Sequence, residues 1–338
     1  MTLKKAKSKY HIILIVLFSM YNVYTISAQE LMPNYSDYLT DNLYLLYPSM
    51  AGAANYNQVR LTARRQWLDV ADAPNLQTIS ANGKIGDRVG IGGIFFRDEN
   101  GYTSKLAVYG TFAYHLMFSR DNIDLNQLSF GINVGLIQKR LDESEFVEFD
   151  PIFGNQKNNE VFANIDVGLS YYYLDFYAHI AAKNLLNVYE DISSPLALPT
   201  NQRKYLASLG YVFSLENDWS LEPSTLFQYL DFLSQSTLDV NLKTYKKLDF
   251  GKIWGGFSYR YSFDSLKNSI SGVSESSRNL QYLTPFVGIT YKQFLVGYTY
   301  SNQLNSMVIS NSGFHQITLG YNFGKNRQRY DCECPAIN

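Results

Sequence analysis

A chain of 338 residues with 29 Lys and Arg against 30 Asp and Glu has no basic surplus to draw it to nucleic acid. Its 28 Tyr, 21 Phe and 22 Gly, with only 17% charged residues, suit a Tyr-rich β-surface or a membrane interface. The two Cys, Cys332 and Cys334, both sit near the end, which excludes a disulfide scaffold.

The first segment reads as an export signal. Lys4, Lys5, Lys7 and Lys9 precede a short apolar core, Ile12 to Phe18, and Ile26-Ser27-Ala28 offers small or apolar residues for cleavage. A signal peptide over 1–28 is expected, with Gln29 opening the mature chain. An uncleaved anchor is the alternative, but the apolar run falls short of the ~20 residues that a spanning helix needs. No Cys follows it to mark a lipoprotein. Without the four lysines, 25 basic residues face 30 acidic ones, a net charge near −5. Residues 29–55 precede the first strand and are expected in the periplasm or inside a lumen.

Period-two alternation then recurs from about 56 to 323. Leu128, Phe130, Ile132, Val134 and Leu136 alternate with Ser129, Gly131, Asn133 and Gly135. Ile165, Val167, Leu169, Tyr171 and Tyr173 alternate with Asp166, Gly168, Ser170 and Tyr172. Large apolar residues on one face and small polar ones on the other suit the wall of a barrel in lipid. Such segments lie near 57–66, 76–84, 88–97, 104–117, 127–138, 162–173, 175–183, 204–214, 219–229, 236–245, 249–261, 280–291, 293–301 and 314–323. Most match the ~9–11 residues that a tilted strand needs to cross the hydrocarbon layer. The expected fold is all-β: a transmembrane antiparallel β-barrel of about 14 strands over 56–323, followed by a polar periplasmic tail over 324–338.

The connections sort by parity. Gly86-Asp87, Leu174-Asp175, Lys246 to Leu248 and Lys292-Gln293 are tight and follow even strands; 139–161, 184–203 and 262–279 are long and follow odd ones. Outer-membrane barrels have short periplasmic turns and long outer loops. The even connection 118–126 departs from this. Pro223 lacks a ladder donor and weakens the strand that holds it. If Leu61, Leu242, Ile253 and Phe257 face lipid, then Arg60, Arg64, Lys243, Lys252 and Arg260 face the lumen, with Asp166, Glu222 and Asp239. Charges of both signs imply a partly filled, ion-paired interior.

No short motif carries catalytic chemistry. His115, His179 and His315 lie on distant strands without metal-ligand spacing. Cys332-Glu333-Cys334 supplies too few ligands for zinc and too short a loop for an unstrained disulfide. Gly90-Ile91-Gly92-Gly93 lies within a strand, where glycine is expected to relieve crowding in a curved sheet. No cofactor is expected.

Several stretches resemble the PorP/SprF family of type IX secretion system membrane proteins. Tyr47-Pro48-Ser49-Met50-Ala51-Gly52 is similar to its Asn-Pro-Ala-x-x-Gly element, with Tyr for Asn. Arg64-Arg65-Gln66-Trp67 resembles its Arg-x-Gln-Trp motif, followed by Ala73-Pro74 and the run Thr78 to Ser80. Gly90 to Arg97 with Asp98 and Gly101 resembles its glycine-rich strand, and Tyr114-His115 its aromatic-His pair. Ser312-Gly313-Phe314-His315-Gln316-Ile317 is similar to the closing Ser-Gly-x-His-Glu-Ile element, with Gln for Glu, and Cys334-Pro335 is family-like. The resemblance implies a non-enzymatic outer-membrane barrel. Such a barrel assists secretion, or surface anchoring, of a partner with a C-terminal sorting domain, such as a gliding adhesin. Periplasmic peptidoglycan-linked components are further implied partners. Arg64, Gln66 and Trp67, expected near the outer rim, are candidates for partner binding; Trp67 equally suits an aromatic girdle. The alternatives are a passive channel for small or apolar solutes and an outer-membrane hydrolase.

Overall fold

The structure, a computed structural model, describes residues 40–66, 73–119, 124–142, 157–186, 202–231, 234–266, 278–304 and 313–324. The segment 1–28, Trp67, Ser312, Cys332 and Cys334 lie outside the described residues.

Alternating side chains and strong β-formers produce fifteen strands in chain order. They are β1 (Asn57–Gln66), β2 (Asn75–Ile85), β3 (Val89–Asn100), β4 (Thr103–Met117) and β5 (Asn126–Asp142). Next come β6 (Lys157–Tyr173), β7 (Phe176–Lys183), β8 (Lys204–Tyr211), β9 (Phe213–Ser214) and β10 (Trp219–Leu230). The last are β11 (Gln235–Leu248), β12 (Gly251–Leu266), β13 (Arg278–Tyr291), β14 (Phe294–Gln303) and β15 (Phe314–Phe323). The two-residue β9 continues β8 past Val212. Neighbours pair antiparallel around a ring that closes where β1 meets β15, from Asn57 opposite Phe323 to Gln66 opposite Phe314. The result is a closed barrel of fourteen strands with no free edge. Among the described residues no helix is long and apolar enough to cross a membrane.

Burial runs inside-out relative to a soluble protein. Val108 and Phe112 of β4, Val134 and Leu136 of β5, and Val287 of β13 are exposed on the outer face, where lipid covers them. Leu61, Ile253 and Phe257 join them; Leu242 is half-exposed. The buried positions between are often polar: Thr111, Asn133, Asn164, Ser170, Gln127. Up-and-down connectivity puts connections alternately at the two ends. The turns at 86–88, 174–175, 249–250 and 292–293 share one end with the start of β1 and the end of β15. The connections that contain 143–156, 187–201, 267–277 and 305–312 share the other. Short turns at 101–102 and 231–234 also lie at the second end and a longer connection, 118–125, at the first. Because outer-membrane barrels keep most short turns in the periplasm, the first end is named periplasmic and the second outer.

Two features depart from the sequence pattern, and a third takes one of the two places expected for the segment ahead of β1. First, β5 reaches Asp142, β6 starts at Lys157 and β12 reaches Leu266, so the segments read as loops at 139–161 and 262–279 are partly strand. The apolar pattern stops where lipid stops, but the ladder continues into water, with Lys139 opposite Glu160. Second, the ladder between β8 and β10 breaks after Gly210 and Ser224 and resumes as β9 at Phe213 and Leu221. Pro223 lies in that break, where a residue without an N–H is tolerated. Third, residues 40–55 fold inside the barrel.

Candidate functional site

The segment ahead of β1 is uncharged from Leu43 to Ala54. It forms two short 3₁₀ helices, Thr40–Leu45 and Pro48–Met50. Pro48 opens the second, where its missing N–H costs nothing. Met50 N–H donates to the Tyr47 carbonyl at 2.9 Å and Ala51 N–H to the Pro48 carbonyl at 3.2 Å. Tyr44, Leu45, Leu46, Tyr47, Met50 and Ala51 are buried in one apolar cluster with inward residues of β2–β8, among them Phe96, Tyr109, Ile137, Tyr172 and Leu206. This segment is a plug built against one half of the wall.

Polar contacts hold it in register. Asn42 Nδ2 donates to Ser80 Oγ at 2.9 Å, and Gly52 N–H donates to Asn82 Oδ1 at 3.0 Å. The Tyr44 hydroxyl meets Thr111, and Thr111 donates to Asn133 Oδ1 at 2.6 Å. The Tyr47 hydroxyl donates to Ser208 Oγ at 2.8 Å, while its ring stacks on His179 at 4.7 Å. Ser49 and Ser170 hydroxyls lie 2.6 Å apart, and Ser170 also bonds His179 Nδ1 at 2.7 Å. His115 Nε2 is 3.0 Å from the Ala51 carbonyl, which can only accept. That bond places the proton on Nε2 and leaves Nδ1 to accept from Ser129 at 2.8 Å. Lys183 Nζ donates to the Leu45 carbonyl at 2.7 Å. Burial pushes the Tyr44 and Tyr47 phenols above their ordinary range, so both stay neutral donors at physiological pH.

Wall glycines make room for the plug backbone. A Cβ at Gly131 would stand 2.2 Å from Pro48 C and Ser49 N; one at Gly90 would stand 1.9 Å from the Ala51 carbonyl oxygen. At Gly92 a Cβ would meet the Tyr44 hydroxyl at 2.4 Å. This corrects the reading of Gly90 to Gly93 as relief of sheet curvature. Gly90 and Gly92 point inward and are bare because another segment packs on them; Gly93 alone faces outward.

The charges singled out from sequence are spread around the lumen. Arg260 Nε and Nη2 both bond Asp239, each at 2.6 Å, and both residues are buried. Buried Glu222 accepts from the hydroxyls of Tyr177 and Tyr245. Lys243 lies over Trp254 at 4.1 Å and Tyr245 at 4.7 Å; Lys252 lies 5.9 Å from the Tyr245 ring. Asp166 accepts from Asn133, Asn164 and the Asn184 backbone N–H at 2.8–3.2 Å. Arg60 Nη2 donates to Asn322 Oδ1 at 2.7 Å. Arg64 points inward over Phe314 at 4.9 Å, and Gln66 beside it is buried. The interior is thus held by tyrosines, amides and aromatic faces as much as by ion pairs.

His115 and His179 face the plug, but His315 is on the outer face, 2.7 Å from the Tyr298 hydroxyl. Among the described residues no three His, Cys, Asp or Glu side chains gather to hold a metal.

The family model for "Type IX secretion system membrane protein PorP/SprF" matches residues 27–321. The chain belongs to this family. The family and the fold place this PorP/SprF protein in the outer membrane. Among curated proteins none matches its sequence. Of solved structures, a CymD monoaromatic hydrocarbon channel is similar at 10% identity and TM-score 0.50, over 87% of this chain and 96% of that one. A TodX deltaS2S3 mutant monoaromatic hydrocarbon channel is similar at 11% identity and TM-score 0.50, over 86% and 95%. At such identity the likeness is one of fold. Three PorP/SprF-like stretches that are far apart in sequence, 47–52, 90–101 and 114–115, converge at the plug: Ala51 touches both Gly90 and His115.

Sequence reasoning missed the plug as a unit. The available signal was an uncharged, non-alternating run ahead of β1 together with glycines at inward positions of β3, β5 and β6. Neither has meaning until the ring closes and the two face each other.

Proposed function

We propose that this barrel is a non-enzymatic platform that assists export of a type IX substrate or holds it at the cell surface. An adhesin-like protein with a C-terminal sorting domain is the partner class. The observation that carries the reading is the plug. Residues 42–54 pack inside the barrel against β2–β8 through an apolar cluster and a set of polar links to the wall, which suits an anchor and not a sieve. The outer end, where the longer connections gather, is the face that a surface partner would meet; Arg64 and Gln66 at that end of β1, with Trp67 next in the sequence, remain the candidates for partner binding, Gln66 only if its buried side chain is uncovered. Peptidoglycan-linked secretion components would engage the periplasmic end.

Deletion of the gene followed by analysis of surface and secreted proteins tests the reading. At least one large surface protein should leave the cell surface. Full retention of every large surface protein would remove the basis of the proposal. A passive channel for small or apolar solutes is the competing reading, favoured by the fold shared with the two hydrocarbon channels. Bilayer recordings separate the two, because a channel gives a large steady conductance with the plug in place and an anchor does not.

A further inference from the structure

A row of polar side chains crosses the seam of the barrel on its lipid-facing side. The ladder sets Arg65 of β1 directly opposite His315 of β15, and His315 directly opposite Tyr300 of β14. Residues opposed in this way stand about 5 Å apart at Cβ. All three face outward, in phase with Leu61, Ile317 and Val296. Those apolar residues lie on the periplasmic side of the row. The row therefore marks the level at which the outer face of these strands passes from hydrocarbon to headgroups.

The imidazole is held in place. The Tyr298 hydroxyl lies 2.7 Å from His315 Nδ1, and the Tyr300 ring sits 5.1 Å from the imidazole ring. With that hydroxyl as donor, Nδ1 accepts and the neutral ring carries its hydrogen on Nε2. Beside it Arg65 is exposed and, among the described residues, makes no hydrogen bond and no ion pair. No carboxylate adjoins Arg65 across either ladder. Its neighbour on β2 is Asn75, and Glu99 stands beyond Asn75 on β3, where it is bonded to Arg97. Asp69 and Asp72, in the connection after Gln66, lie outside the described residues. Arg97 thus carries the same charge at nearly the same depth, but with a partner.

We propose that Arg65 and His315, with Tyr298 orienting the imidazole, bind the phosphate of an outer-leaflet glycolipid headgroup across the seam between β1 and β15. A phosphate accepts two hydrogens from the guanidinium fork and still offers an oxygen to a neighbouring N–H. The source is lipid and not a soluble anion, because the site faces out of the barrel at the edge of the apolar band, where headgroups surround it. In an outer membrane the leaflet at this level is built of phosphorylated glycolipid. Since β1 and β15 are the first and last strands, a headgroup that spans them ties together two strands that no turn joins. The site does not depend on the anchoring role.

Native mass spectrometry of the full chain, purified in a mild detergent and stripped of lipid, tests the site with added bisphosphorylated lipid A. A saturable complex is expected, and dephosphorylated lipid A should bind about tenfold more weakly. Arg65→Gln should weaken binding of the phosphorylated lipid about tenfold, and His315→Phe, which keeps a ring and removes Nε2–H, should weaken it as well. Arg97→Gln should leave it unaltered. Without lipid, Arg65→Gln should melt with the parent, because that side chain holds nothing in the fold. Lipid A should raise the melting temperature of the parent but not that of Arg65→Gln. Equal binding of the two lipids, or equal weakening by Arg97→Gln, overturns the phosphate site. A marked gain in affinity on replacing both Asp69 and Asp72 with Asn would mean that Arg65 is already paired, and overturns it too. Phosphatidylglycerol binding as tightly as lipid A overturns the outer-leaflet source, and no rise in the parent's melting temperature overturns the tie across the seam.

Discussion

At the scale of single residues, the plug depends on what is absent from the wall. Gly131 is the tightest test, because a side chain there must displace Pro48 and Ser49, which are backbone and ring and cannot swing aside. Gly131→Val is expected to cost about 1–3 kcal/mol through overpacking and to loosen the plug. Urea unfolding in lipid vesicles, followed by tryptophan emission, measures the first effect. The pair Asp239 and Arg260 tests the opposite case, a contact that is present. Asp239→Ala leaves a buried guanidinium short of its carboxylate and should cost about 3–5 kcal/mol. Replacing both residues with apolar ones of similar volume should cost much less. If the double variant were as unstable as the single one, the pair would be contributing attraction and not merely cancelling charge.

At the scale of strands, one side chain in two answers to lipid and the next answers to the lumen. Val134 is 54% exposed at the middle of β5, yet Asn133 beside it is buried. Val134→Arg should lower stability by about 2–4 kcal/mol when refolding into bilayers is measured, because the charge would enter hydrocarbon. An outcome near zero would mean that this face does not meet lipid. The same division explains the strand ends. Apolar alternation marks the length that lipid imposes, whereas backbone pairing stops only when chain geometry or a turn ends it. Thus β5 and β6 run past their apolar stretch to Asp142 and Lys157. Pro223 is the converse, a residue that reads as a strand breaker and is accommodated because one ladder is already broken at β8 and β9.

At the scale of the molecule, the barrel and the plug are separable. The wall closes through β1 and β15 without help from residues 40–55. A chain that lacks 40–55 should still insert. It should give larger single-channel conductance in planar bilayers than the complete chain, because apolar and hydrogen-bonding groups on β2–β8 would be left facing water. Equal conductance with and without the segment would mean that it does not obstruct the lumen. The plug's short links to Ser80, Thr111, Ser170 and Ser208 span four strands, so no single wall substitution is expected to release it fully.

Fold class and strand number were legible in the sequence. The reason is physical: a membrane imposes a fixed thickness, and a pleated strand imposes a period of two, so a one-dimensional pattern carries the information. Family membership was legible too, as an ordered set of short stretches. The plug, the role of Gly90 and Gly131, and the pairing of Glu222 with two tyrosines were not. Each depends on which residues face one another across a closed ring, and that is set by register and closure, which couple positions more than a hundred residues apart and leave no local periodicity to read.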